Sequence, residues 1–101
     1  MAPIFEVDME GARIVLRGRF DASQETRARE IFETFEGPGP AIVDFTELKY
    51  ISSAGLGVLF ALHKRLMDEG SGVRIVNPSP HILEIFKMVG FDKIFEIAPD
   101  E

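Results

Sequence analysis

Two breaks, Gly37-Pro38-Gly39-Pro40 and Gly70-Ser71-Gly72, constrain this chain more than any other feature. Each stops a helical pattern, because proline lacks an amide donor and glycine tolerates positive φ. Each is followed at once by a short apolar run: Ala41-Ile42-Val43-Asp44-Phe45 after the first, Val73-Arg74-Ile75-Val76 after the second. Runs this short, bounded by turn residues, read as buried strands. Between them a helix is expected from about Ala54 to Glu69, with Thr46–Tyr50 as a connector. Strand, helix, strand in that order points to a parallel pair joined by a right-handed crossover.

The flanks extend the pattern. Phe5/Val7 and Ile14/Leu16 alternate with polar residues on either side of Glu10-Gly11, so Glu6 to Asp8 and Arg13 to Arg17 read as a half-buried hairpin. Gly18-Arg19-Phe20-Asp21 then leads into a first helix. Ser23 is one candidate cap for it, and Asp21 with Gln24 fits a capping box equally well. Ile31, Phe32 and Phe35 supply that helix's apolar stripe. After the Val73 strand, Ser79-Pro80 opens a third helix with the serine as cap and proline at the first helical position. Ile82, Ile85, Phe86 and Val89 form its buried stripe, Gly90 ends it, and Lys93 to Ile97 is a last short strand. The expected fold is therefore α/β over residues 1–101: a mixed, mainly parallel sheet with an N-terminal hairpin and three or four helices packed against it.

Composition narrows the function. A net charge of −6, with the arginines and lysines interleaved among acids, argues against the counterion-release binding that nucleic acid requires. An acidic chain favours a protein partner. There is no cysteine, so neither disulfides nor a thiolate metal site is available. Scattered carboxylates without His or Cys spacing suggest no metal, and no cofactor is expected. The charge-free stretch Tyr50–His63 is shorter than the roughly 20 residues a bilayer span needs. Met1 to Asp8 lacks a basic segment followed by an apolar run, so no secretion signal and a cytoplasmic location are expected.

The segment from Asp44 to Leu59 is the most informative. A buried strand leads to Ser52-Ser53, then Ala54-Gly55-Leu56-Gly57 and an apolar helix. Ser53 falls where an N-cap belongs. The first amides of a helix lack internal partners and its dipole is positive at that end, so a phosphoryl group on Ser53 would be tolerated by the fold. A docking protein would meet the same group as about −1.5 to −2 of charge with added bulk. Gly55 and Gly57 are expected to leave the backbone bare for close approach. Farther along, Leu56, Leu59, Phe60, Leu66 and Met67 follow core spacing, while Val58, Ala61 and Leu62 broaden the stripe. Val58 or Leu62, if exposed, would be a contact candidate.

This stretch resembles the signature of the STAS family, whose stand-alone bacterial members are anti-sigma factor antagonists. The matching residues are Asp44, Ser53, Gly55, Leu56 and Gly57. Gly18-Arg19-Phe20-Asp21 resembles the family's G-x-L-D element, and Val89-Gly90-Phe91-Asp92-Lys93-Ile94-Phe95 its closing segment. The resemblance implies that Ser53 is phosphorylated by a partner kinase of the GHKL type that doubles as anti-sigma factor. It also implies that a PP2C-type phosphatase resets the serine, and that Asp21 stands beside it at the partner-facing edge. Asp21, Ser52, Ser53, Ala54, Gly55, Leu56 and Gly57 would form the binding surface. Two positions depart from the usual pattern: Ser52 replaces an acid, and Ala54 replaces a serine or threonine.

Readings from other classes fit less well. A serine hydrolase needs G-x-S-x-G, and Ser53 has Gly55 after it but Ile51 before it. The only histidines, His63 and His81, lie in the second and third helices, where a solvated or half-buried imidazole is ordinary. A phosphate loop needs G-x-x-x-x-G-K-[ST], and no lysine follows Ser53 until Lys64. The nearer rival shares the fold: a phosphorylation-independent adaptor, or a subunit of a transport complex.

Overall fold

A computed structural model of the chain describes residues 5–37 and 39–98. Pro38 of the first break, the start at Met1–Ile4 and residues 99–101 lie outside the described residues. Five strands form one sheet in the order β1 (Glu6–Glu10), β2 (Arg13–Phe20), β3 (Ala41–Ile51), β4 (Val73–Val76), β5 (Glu96–Ala98). β1 and β2 pair antiparallel around Gly11, whose φ of +62° favours glycine, and every later pair is parallel. The connections carry α1 (Glu25–Glu33), α2 (Ser53–Asp68) and α3 (Pro80–Val89), with short 3-10 turns at Ala22–Gln24 and Phe91–Lys93. This is the α/β architecture expected, with three α-helices.

One face of the sheet is buried by the helices. Ile14, Leu16, Phe20, Val43, Phe45, Leu48, Ile51 and Ile75 all join the core. The opposite face carries ion pairs across neighbouring strands: Arg17 with Asp8 and Glu47, Arg13 with Asp44 at 3.0 Å, and Arg74 with Glu96 at 3.7 Å. Two aromatic groups organise the core. Phe20 stacks on Phe5 at 4.5 Å and meets Phe32 of α1 edge-on at 6.4 Å. Phe86 of α3 packs with Phe45, Phe91 and Phe95 at centroid distances of 5.9, 6.2 and 5.9 Å.

Thr46–Tyr50 is not a connector. It is the second half of β3, which outruns β4 and pairs only with the end of β2. The register slips twice, between Val15 and Arg17 and again between Gly18 and Arg19, so β3 carries extra residues at both places. Each irregularity interrupts the two-residue alternation that marks a strand, which hides this segment from a periodicity reading. Asp44 holds the first one: its Oδ1 accepts from the Thr46 N–H at 2.9 Å and from Thr46 Oγ1 at 2.6 Å, and its Oδ2 accepts from Arg13. Burial alone would raise the Asp44 pKa, but these donors outweigh it and hold it below the ordinary value.

α2 is buried on two sides, against the sheet and against α1. Val58 and Leu62 are 1% and 3% exposed, so neither is the contact candidate that the broad apolar stripe suggested. The large apolar residues of α2 that are exposed are instead Phe60 and Met67, both at core spacing in the sequence. Arg65 ties the two helices together by donating to the carbonyls of Phe32 and Phe35, both at 3.1 Å. α3 is capped as expected: Ser79 Oγ accepts from the Ile82 N–H at 3.2 Å, and Gly90 closes the helix at φ +81°. Val89, expected in its buried stripe, is exposed. The last strand begins later than expected, because Phe91–Lys93 first forms a 3-10 turn.

Candidate functional site

The site forms where β2 and β3 end together. Phe20 and Ile51 are the last paired residues, and the Ser52 N–H donates to the Phe20 carbonyl at 2.9 Å. That bond sets the exit from β2, at Asp21, beside the start of α2. The 3-10 turn after Asp21 also packs against α2.

Asp21 wins the capping position over Ser23. Its Oδ1 accepts from the Ser23 N–H at 3.0 Å and from Ser23 Oγ at 2.6 Å, while its own N–H donates to Gln24 Oε1 at 2.9 Å. The Ser23 hydrogen bonds, helped by the nearby charge of Arg19, lower the Asp21 pKa below the ordinary value. It is therefore a carboxylate at neutral pH. Ser23 is a donor to the cap and not the cap itself.

The two serines divide the work. Ser52, not Ser53, caps α2: its backbone is extended at φ −90° and ψ 173°, and its Oγ accepts from the Gly55 N–H at 3.2 Å. The Ser52 carbonyl accepts the first intrahelical bond, from Leu56 at 2.9 Å. Ser53 becomes the first helical residue, and it is exposed. The helix thus starts one residue earlier than expected and leaves the Ser53 hydroxyl without a capping duty. No acidic residue lies in the first turn of α2. The free amides and the positive end of the dipole therefore face Ser53 uncompensated from within the helix.

The glycines differ as sharply. Gly55 is buried, and a Cβ there would sit 2.8 Å from Ile51 Cγ1 and 3.1 Å from Phe20 Cγ. Its role is to let α2 rest on the ends of β2 and β3, not to bare the backbone to a visitor. Gly57 does leave the backbone open, since nothing lies within 4 Å of a Cβ at that position. Leu56 is a core residue and Ala54 is half-exposed. The accessible part of the expected surface is therefore Asp21, Ser52, Ser53, Ala54 and Gly57. Exposed Phe60, Lys64 and Met67 continue the same side of α2 at helical spacing from Gly57, a continuation the core-spacing reading missed.

His63 lies about 15 Å along α2 from Ser53 at 1.5 Å per residue, out of reach as its base. It is nearly buried, its Nδ1 accepts from the Val73 N–H at 2.9 Å, and its ring meets Phe95 at 4.9 Å. Burial lowers its pKa, so it is a neutral strut between α2 and β4. His81 is exposed at the start of α3. Among the described residues no cluster of three His, Cys, Asp or Glu could hold a metal ion, and no helix is long and apolar enough to cross a membrane.

A fold and a serine placed this way define a class. Residues 10–101 match the family model of the STAS domain, and the chain belongs to that family. It is 27% identical to a STAS-domain containing protein of Pseudomonas aeruginosa, over 90% of this chain and 91% of that one. It is 28% identical to the anti-sigma-B factor antagonist of Listeria monocytogenes, over 93% of this chain and 84% of that one. Its fold matches that of the Bacillus cell fate determinant SpoIIAA in the phosphorylated form, with a TM-score of 0.64 and 24% identity over 94% of this chain and 91% of that one. The family is one of generally non-enzymatic domains of the anti-sigma factor antagonist kind.

Proposed function

We propose that the chain is a cytoplasmic anti-sigma factor antagonist, a single STAS domain that is not itself an enzyme and is switched by phosphorylation of Ser53. One observation carries this reading: Ser52 caps α2, which leaves Ser53 exposed at the first helical position with no structural task. Unphosphorylated, the Asp21–Ser53–Gly57 surface docks on a serine-kinase anti-sigma factor of the GHKL type and frees its client.

Phosphorylation then follows ordinary phosphoryl transfer. The Ser53 Oγ attacks the γ-phosphorus of ATP, the bond to the β–γ bridging oxygen breaks, and ADP leaves. The hydroxyl proton passes to a base on the kinase, which also holds Mg²⁺. The product carries about −1.5 to −2 of charge in the middle of the docking surface. A loss of only about 1.4 kcal/mol weakens the complex tenfold, so modest repulsion suffices for release. A PP2C-type phosphatase restores the hydroxyl with water and liberates phosphate.

The test compares the wild-type chain and Ser53→Ala as immobilised baits. A partner held by both should be released by MgATP from the wild type alone. Release from Ser53→Ala at the same rate would contradict the proposal.

A further inference from the structure

The two ends of α2 differ. Its first turn carries Ser53, whereas its C-terminal half forms one wall of a groove. Phe60, Lys64, Met67 and Asp68 line the groove from α2, and Lys93 and Ile94 line it from the opposite wall, just before β5. It holds about 480 Å³ and is open along one side. A second hollow of about 470 Å³ adjoins it through His63, Met67 and Ile94 and reaches Gly39-Pro40. Met67 stands about 21 Å along α2 from Ser53 at 1.5 Å per residue, so the groove lies beyond the serine's own surface.

The groove is apolar yet uncovered. Phe60, Met67 and Ile94 are 37%, 58% and 40% exposed, and the Phe60 ring is held in place by stacking on Phe91 at 5.9 Å. Large apolar side chains gathered at one place on a surface mark an interaction site, whereas scattered ones do not. The charges say what fits there. Among the described residues neither Lys64 nor Lys93 has a carboxylate within ion-pair distance. Asp68, one turn from Lys64, leaves it unpaired, and Glu96 in the adjoining hollow faces Arg74 at 3.7 Å. In a chain of net charge −6, two unpaired lysines beside exposed apolar side chains are a local exception.

We propose that this groove is a second docking surface, for an acidic amphipathic segment of a protein partner. Apolar side chains of the segment enter between Met67 and Ile94, and its carboxylates pair with Lys64 and Lys93. Phe60 to Met67 spans two turns of α2, which matches apolar anchors one turn apart on the visiting segment. A lipid surface fits less well, because a bilayer takes up a protruding apolar face and an anionic leaflet repels an acidic chain. A second copy docked through the same face would set lysines against lysines.

The test pans random peptides of about 12 residues, displayed on phage, against the immobilised full chain; that length follows the groove as a helix. The enriched peptides should combine apolar residues with net negative charge. They should bind the double variant Lys64→Glu/Lys93→Glu about tenfold more weakly than the wild type, and less so as salt is raised. Met67→Ser should weaken them as well. All three side chains are exposed, so the thermal midpoints of the variants should stay near that of the wild type. In ¹⁵N NMR the peptides should shift the amides of Lys64, Met67 and Ile94 and leave those of Asp21 and Ser53 in place. No enrichment, neutral or basic peptides, equal binding by the double variant, or shifts centred on Ser53 would overturn the proposal. So would binding of the wild type to phosphatidylglycerol vesicles that Met67→Ser abolishes, or a wild-type dimer that Met67→Ser dissociates. Each of those results would give the groove a different occupant.

Discussion

Alanine at Gly55 probes the seat on which the whole site rests. The added methyl would lie 2.8 Å from Ile51 Cγ1 and 3.1–3.2 Å from the Phe20 ring. Neither neighbour has room to move: Ile51 is 2% exposed and Phe20 0%, with Phe20 stacked on Phe5 and abutting Phe32. Overpacking of this kind costs roughly 1–3 kcal/mol. Alanine returns up to about 1 kcal/mol in helix propensity, less so in the first turn. At Gly57, two residues on, the same methyl meets nothing within 4 Å, so only the propensity gain remains. The two variants should therefore differ in stability by about 1–3 kcal/mol, with Gly55→Ala the weaker.

Urea unfolding followed by far-UV circular dichroism measures this directly, and thermal midpoints should separate by roughly 4–8 °C per kcal/mol for a domain of this size. Because α2 must lift to accommodate the methyl, Gly55→Ala should also displace Ser53 and weaken partner binding, while Gly57→Ala leaves the fold undisturbed. A Gly55→Ala protein as stable as Gly57→Ala would refute the packing of α2 on Phe20 and Ile51. The placement of Ser53 would fall with it.

The serines should separate in the same assay. Ser52→Ala loses a helix cap and about 1 kcal/mol, whereas Ser53→Ala changes stability by less than about 0.5 kcal/mol; equal losses would contradict the division of roles. His63 predicts an acid sensitivity. Its folded pKa is depressed, so the unfolded chain takes up the proton first, and stability is whole above the unfolded value of 6.5 and declines as pH falls below it. His63→Gln keeps an acceptor for the Val73 amide but cannot titrate, and it should flatten the stability profile between about pH 7 and pH 5. An unchanged slope in that variant would show that the acid response lies elsewhere.

Much of this fold is written in local patterns. Ser79-Pro80 and Gly90 mark α3 through caps that depend on nearby backbone alone, and the glycine-rich breaks mark where β3 and β4 begin. What sequence could not show depends on partners far along the chain. Thr46–Tyr50 is a strand because the end of β2 is there to pair with it, and two register slips erase its alternation. Val58 and Leu62 are buried because α1 covers a second side of α2, which no single-helix stripe reveals. Between Ser52 and Ser53 the choice of cap turned on one residue, and the hydrogen bond from Ser52 to Phe20 decides it. Gly55 read as an opening for a visitor, but the Phe20 ring already occupies that space. The family resemblance points to the serine, and only the packing shows that Gly55 serves the fold while Gly57 lies open at the surface.

The most direct test of Ser53 as the switch is a phosphopeptide map of the chain isolated from its own cells under several growth conditions. Phosphate is expected on Ser53 and not on Ser52, whose hydroxyl is engaged as the cap, and its level should change with conditions. Phosphate absent throughout, or present only on Ser52, would contradict the switch and leave a domain that binds its partner without this modification.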